Sequence, residues 1–182
     1  MSGTDIIETS HFGKSVDMGP ADKIWIGPED KQFIMKELER YESHYSAIIP
    51  SLYCIQRRHG WVPPKAVSEL EVISKIPAAH INEVLMFYTM FNKVPVGKLH
   101  VQVCTNVSCA MNGGRELADH LCKNYGVGYG EVSADGMVTV NRAECLGACH
   151  NAPMMQINDN YYENLTQESA IETISKLAKD KK

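Results

Sequence analysis

Six cysteines occur in this 182-residue chain, and four of them form two pairs: Cys104 with Cys109, and Cys145 with Cys149. The spacings read C-x4-C and C-x3-C, with residues 110–144 between the pairs. If four thiolates serve one centre, the fold must bring the chain back across that gap and set two short segments side by side. Four such ligands suit a metal ion or an iron–sulfur cluster. The spacings narrow the choice. Structural zinc favours the knuckle C-x2-C, and a thioredoxin-type dithiol also needs a two-residue gap. No cysteine pair here has one. The plant-type ferredoxin order, C-x4-C-x2-C with a distant fourth cysteine, is not met either. Two wider loops remain, each able to clamp one iron of a binuclear centre with two thiolates. Buried thiols or two disulfides are the alternative reading of the same four residues.

The charge of such a centre sets a demand on its surroundings. Four thiolates, two ferric ions and two sulfides add to about −2, and one added electron makes about −3. Backbone N–H groups must then point at the sulfurs. Gly147 and Gly113-Gly114 suit this, because glycine lets backbone approach closely; simple turn chemistry is the plainer account of each. His150 adjoins Cys149 as a donor or an alternative ligand, with cysteine the simpler fourth ligand. Cys54 and Cys122 each lie in a helical stretch beside apolar residues and read as buried structural thiols. Met154 and Met155 read as strand residues packed in a core. Pro153 sets the loop that enters that strand.

Hydrophobic periodicity divides the chain. Residues 1–27 have weak periodicity and read as a flexible N-terminal tail. Within it, Ile24-Trp25-Ile26 reads as an apolar staple on the helix that follows, or as a hook onto a partner. Pro28, Glu29 and Asp30 open a helix. Ile34, Leu38, Tyr41 and Tyr45 continue it as one stripe. Ser46 is a candidate cap for a second helix, with Pro50 in its first turn and Ile48, Leu52 and Ile55 inward. Gly60 stops it in a left-handed conformation, and Trp61 makes the apolar contact beyond. A third helix starts near Pro63-Pro64, with Ala66, Leu70 and Ile73 inward. Pro77 opens a fourth, with Ile81, Val84, Leu85 and Tyr88 on one side. Residues 28–94 are therefore expected to form a helical domain.

Pro95 and Gly97 mark a change of period. Leu99, Val101 and Val103 alternate with His100 and Gln102 as a strand running into Cys104. Gly113 to Tyr125 reads as a helix, Asp135-Gly136 as a turn, and Met137 to Arg142 as a strand feeding Cys145. A hairpin follows, Met154 to Ile157 and Tyr161 to Leu165 around Asn158-Asp159-Asn160. Gln167 to Lys179 closes the chain as a helix with Ile171, Ile174 and Leu177 inward. The order β-α-β-β-β-α over residues 95–182 predicts an α/β (α+β) domain with a mixed sheet, and both cysteine loops follow strand ends.

Composition excludes other classes. The net charge is −4, and the only basic block is the terminal Lys181-Lys182, so no positive field recruits nucleic acid. No apolar run approaches the roughly 18 residues that span a bilayer. The N-terminus lacks the apolar core of a secretory signal. Its first 22 residues hold Lys14 but no Arg, together with Asp5, Glu8, Asp17 and Asp22, unlike a mitochondrial transit peptide. A cytoplasmic, reducing compartment is the inference, and cysteine pairs there are more often ligands or redox sites than disulfides.

The stretch from Ala143 through Cys145-Leu-Gly-Ala-Cys149 to Pro153 resembles the second cluster loop of thioredoxin-like 2Fe–2S ferredoxins. With Gly60-Trp61-Val62-Pro63 and Phe87-Tyr88-Thr89-Met90-Phe91, roughly residues 29–180 resemble more closely the small iron–sulfur subunits of the NADH-oxidising module of respiratory NADH:quinone oxidoreductase, complex I. The resemblance implies a thioredoxin-like fold for residues 95–182 and one 2Fe–2S cluster on Cys104, Cys109, Cys145 and Cys149. It implies a larger NADH-binding flavoprotein partner that carries FMN and a 4Fe–4S cluster. It also implies a place in the peripheral arm, on the inner side of the membrane, and an oxidoreductase subunit not catalytic alone. This chain has no G-x-G-x-x-G after a strand, in keeping with a subunit that has no nicotinamide site. Three rivals remain. The first is the equivalent diaphorase subunit of an NAD-linked hydrogenase or formate dehydrogenase. The second is a free-standing ferredoxin, which leaves the four helices unexplained. The third is a zinc-stabilised interaction domain without redox activity.

Overall fold

The computed structural model describes residues 23–181. Most of the tail that the sequence sets apart, residues 1–22, lies outside them. The chain divides into two compact units after Val94.

The first unit is helical. Pro28 opens α1 (Pro28–Arg40), with Glu29 and Asp30 in its first turn near the positive end of the dipole. The helix does not follow its apolar stripe onward. Tyr41 turns extended and only half-buried, and Tyr45 falls on a 3-10 turn, His44–Ala47, where it is exposed and meets His80 edge-on. α2 (Ile48–His59) starts directly from that turn with Ala47 at its cap position, so Ser46 is not the cap. The sequence periodicity outruns the helix here because the backbone leaves the helical path before the pattern ends. Gly60 ends α2 at φ 79°, and Trp61 beyond it is buried. α3 (Pro64–Ser74) and α4 (Ala78–Phe87) each follow a proline. Ile34, Leu38, Leu52, Ile55, Leu70, Ile81 and Leu85 from the four helices share one core.

That core also takes Trp25 and Ile26, while Ile24 is exposed. Their backbone N–H groups donate to the Glu69 carboxylate on α3, at 3.1 and 2.8 Å. His59 Nε2 lies 2.7 Å from the Trp25 carbonyl. The short patch packs into this core as a staple would, but its hydrogen bonds run to α3 and the end of α2 rather than to the helix that follows. Across the first helix pair, Arg58 reaches from α2 to the buried Asp30, with Nε 2.5 Å from Oδ2. Cys54 is half-buried rather than buried, and its thiol donates to Asp30 Oδ1 at 3.4 Å.

The second unit is built on a four-stranded sheet in the order β2-β1-β3-β4. β1 (Leu99–Cys104) lies inside it. β2 (Val138–Ala143) runs parallel to β1, while β3 (Met155–Ile157) pairs with β1 antiparallel and β4 (Asn160–Tyr162) with β3. The connection from β1 to β2 carries two helices, α5 (Val107–Met111) and α6 (Gly114–Tyr125), and α7 (Gln167–Asp180) closes the chain. α6 and α7 pack together, and both contact β1. Leu117 and Leu121 of α6 and Ile174 of α7 share the core with Val101, Val103 and Val140. Cys122 is buried beside them. The hairpin turn is tighter than its sequence suggests. Asn158 takes a left-handed φ of 53°, which asparagine tolerates, so Asn160 already pairs with Ile157 and β4 ends at Tyr162.

The alternation in β1 predicts His100 on a solvent face, yet it is 8% exposed. The cause is β1's place inside the sheet. Asn141 Nδ2 from β2 lies 2.9 Å from His100 Nε2, and Asn158 Oδ1 from the hairpin turn accepts from the His100 backbone N–H at 3.0 Å. Burial pushes the His100 imidazole down to about 4 from its ordinary 6.5. The unfolded chain then binds a proton that the folded chain refuses between those values, so stability falls as pH drops through that window. We expect up to about 3 kcal/mol of loss between pH 6.5 and 4 from this group, read as thermal melting of the cluster-free protein. His100→Gln should flatten the profile over that range; an unchanged slope would contradict the assignment.

Candidate metal centre

Two parallel neighbours in a sheet end at the same edge. β1 and β2 are in register from Leu99 opposite Val138 to Cys104 opposite Ala143. Cys104 is thus the last residue of β1, and Cys145 comes two residues after its partner strand ends. The loop that follows β1 is locked to the end of β2, because Thr105 N–H and Oγ1 both donate to the Ala143 carbonyl, at 2.9 and 3.2 Å.

Cys104, Cys109 and Cys149 lie in a strand, a helix and a 3-10 turn, whereas Cys145 lies in a segment with no helix or strand. Cys109 lies in α5, a helix that the spacing alone does not predict. Asn106 stands at its N-cap position, where asparagine is favoured, and its side chain accepts from the Val107 N–H at 2.7 Å. Cys149 opens a short 3-10 turn, Cys149–Asn151. Cys104 and Cys109 are buried, whereas Cys145 and Cys149 are exposed. Ala148 and Met154 complete a small apolar cluster with Cys104 and Cys109. Met154 is wholly buried beneath the site rather than in the main core, and its carbonyl accepts from Cys104 N–H at 3.2 Å. The Ala152-Pro153 bond is cis.

Burial pushes the Cys109 thiol up to about 11. A hydrogen bond with Cys104 and the charges of Cys104 and Cys149 add to this, while the Met154 backbone opposes it. Three of the four thiols are therefore electrostatic neighbours. A thiol must lose its proton to bind a metal, and burial makes that loss costly at Cys109. Among the described residues, no three His, Cys, Asp or Glu side chains converge as the ligands of a single metal ion would. His150 is exposed.

The close backbone approach expected of the glycines is seen at Gly114. A Cβ on Gly114 would stand 2.7 Å from the Cys104 carbonyl oxygen and 2.8 Å from that of Cys109. Gly114 thus lets α6 close onto the backbone of both cysteines, and any side chain would push them apart. Gly113 and Gly147 have positive φ, 85° and 81°, with open space where a Cβ would stand. The Gly113 N–H bonds the Ala110 carbonyl at 3.3 Å, so it terminates α5 rather than facing a sulfur.

Two polar contacts escape sequence reading altogether. Ser108 Oγ donates to the Cys149 carbonyl at 2.8 Å, joining the first cysteine segment to the second. Tyr161 Oη donates to the Leu146 carbonyl at 2.6 Å. No motif marks either residue, because both bonds cross between elements distant in sequence.

The model of the thioredoxin-like [2Fe-2S] ferredoxins matches residues 34–178. The chain belongs to that family. It is 36% identical over 149 residues to NADH-quinone oxidoreductase subunit 2 of Thermus thermophilus, covering 80% of this chain and 82% of the relative. It is 42% identical over 146 residues to an NADH-quinone oxidoreductase subunit of Rickettsia conorii, covering 79% and 87%. Among solved structures, an air-oxidised NAD+-reducing [NiFe]-hydrogenase superposes with a TM-score of 0.61 at 22% identity. That match covers 71% of this chain and 23% of the hydrogenase chain, so this chain spans about a quarter of that one's length. At that identity the likeness is one of fold.

The donor set fits the group that gives the family its name. Four thiols lie on segments leaving one sheet edge, two buried and two exposed, with a glycine where the backbone must close. Gly114→Ala should destabilise the fold by about 1–3 kcal/mol in chemical denaturation and lower the iron retained per chain. Gly113→Asn should keep both near wild type, since asparagine tolerates a left-handed φ. Equal damage from the two changes would overturn the distinction.

Proposed function

We propose that this chain is the electron-transfer iron–sulfur subunit of a respiratory NADH:quinone oxidoreductase. Cys104, Cys109, Cys145 and Cys149 are its cluster ligands. The observation that carries the reading is the β1–β2 register, which delivers both cysteine segments to one edge of the sheet. The wide spacings and the division into a buried and an exposed pair suit a binuclear centre, which takes two thiolates at each iron. When bound, a 2Fe–2S cluster supplies a one-electron store. The protein's part is to hold the thiolates, keep the Cys104–Cys109 side dry against Met154 and Ala148, and leave the Cys145–Cys149 side open.

The partner is an NADH-binding flavoprotein subunit carrying FMN and a 4Fe–4S cluster, with which this chain exchanges electrons one at a time. The kinship to NADH-quinone oxidoreductase subunits supports that partner, and so does the likeness in fold to an NAD+-reducing hydrogenase. Among the described residues no helix is long and apolar enough to cross a membrane. A place in the peripheral arm of the complex, on the inner side of the membrane, is consistent with that. The fold likeness also favours a second reading, the diaphorase subunit of an NAD-linked hydrogenase, which uses the same four cysteines.

Anaerobically purified protein should hold about two irons and two acid-labile sulfides per chain. Zinc without sulfide would defeat the proposal. Cys145→Ala should remove or distort the visible absorption of the cluster, whereas Cys54→Ala should keep it. The purified chain should not oxidise NADH; turnover should require the flavoprotein subunit. Measurable NADH oxidation by the chain alone would show that the role is misassigned.

A further inference from the structure

The two cysteine pairs are held by different means. Cys104 is part of β1, and Cys109 is part of α5 with Gly114 against its carbonyl, so backbone structure places both. The second segment has no such frame. Residues 144–148 belong to no helix or strand, and the 3-10 turn that Cys149 opens buries none of its residues. Two hydroxyls reach this segment from fixed elements on either side. Ser108 sits on α5 between the first two cysteines and donates to the Cys149 carbonyl at 2.8 Å. Tyr161 sits on β4 and donates to the Leu146 carbonyl, next to Cys145, at 2.6 Å.

Exposed carbonyls could bond to water instead, so satisfying these acceptors does not require either side chain. What the side chains add is location. Each ties the peptide at or next to a ligand cysteine to an element whose place the sheet already sets. Ser108 does so from within the other cysteine pair, so one hydroxyl relates the exposed pair directly to the buried one.

We propose that Ser108 and Tyr161 are positioning residues for the cluster, holding Cys145 and Cys149 in place relative to Cys104 and Cys109. This rests on the four-cysteine reading given under Proposed function. Without these bonds the exposed thiolates sample a wider range of positions. The iron they hold is then more open to competing ligands, and the reduced cluster is less uniform.

The test uses the full chain, purified anaerobically with its cluster, as wild type, Ser108→Ala, Ser108→Thr and Tyr161→Phe. Three quantities are read: iron and sulfide per chain, the rate at which excess chelator bleaches the visible absorption, and the electron-spin resonance of the dithionite-reduced protein. Ser108→Ala and Tyr161→Phe should load like wild type and bleach about fivefold faster, the factor set by one ordinary hydrogen bond. Their resonance lines should shift or broaden. Ser108→Thr, which keeps the hydroxyl, should restore both readings. Normal wild-type loading with unchanged bleaching and resonance in both variants overturns the proposal alone. Loss of the cluster in Ser108→Thr as well as Ser108→Ala, with melting temperature lowered in both, also overturns it, because the residue then serves folding. A wild-type chain holding no iron and sulfide overturns the cluster reading and this proposal with it.

Discussion

Parallel pairing of β1 with β2 is the constraint on which the rest of the centre depends. Parallel strands end at the same edge, and their hydrogen bonds fix which residues stand opposite. With Cys104 opposite Ala143, the segment holding Cys145 and Cys149 has to begin beside the segment holding Cys104 and Cys109. A slip of one residue would turn every β2 side chain to the other face of the sheet and misplace the second pair. The apolar side chains prevent that slip. Val101 and Val140 are fully buried, and α6 and α7 cover the sheet with Leu117, Leu121 and Ile174. The position of a surface-exposed pair of thiols is thus set by burial several residues away.

The two sides of the centre have opposite physical characters. Cys104 and Cys109 sit with Met154 and Ala148 in an apolar cluster, where desolvation makes a free thiolate at Cys109 unfavourable. Cys145 and Cys149 face solvent. The first pair sits in strand and helix backbone, and the second segment is met by the hydroxyls of Ser108 and Tyr161. Gly114 belongs to the first side, since it allows α6 to start against the carbonyls of both buried cysteines. Ser108 belongs to both, being on α5 and bonded to Cys149.

Several elements are legible in the sequence for local reasons. Pro28, Pro64 and Pro77 stand at or just before the starts of α1, α3 and α4, where a missing N–H costs nothing. Gly60 ends α2 because a left-handed residue is needed there. Apolar alternation marks β1 and β2. Reading fails where a tertiary contact competes with the local pattern. The stripe through Tyr41 and Tyr45 has helical spacing, but the chain leaves the helix at Arg40. His100 alternates as a polar residue should, yet it is buried and its imidazole lies against Asn141 of β2. α5 is too short for a period to be seen, and its signal reduces to the single cap Asn106.

The sequence by itself determined the existence of two cysteine pairs, their unequal spacings, and the helical and strand periods of the segments around them. These are properties of neighbouring residues, and local geometry is enough to express them. Only the tertiary structure decided which sheet edge the pairs share, which pair is buried, and that Gly114, Ser108 and Tyr161 meet the backbone of the two cysteine segments. Those outcomes come from contacts between residues far apart in the chain, fixed when the sheet and its helices bury their apolar faces together.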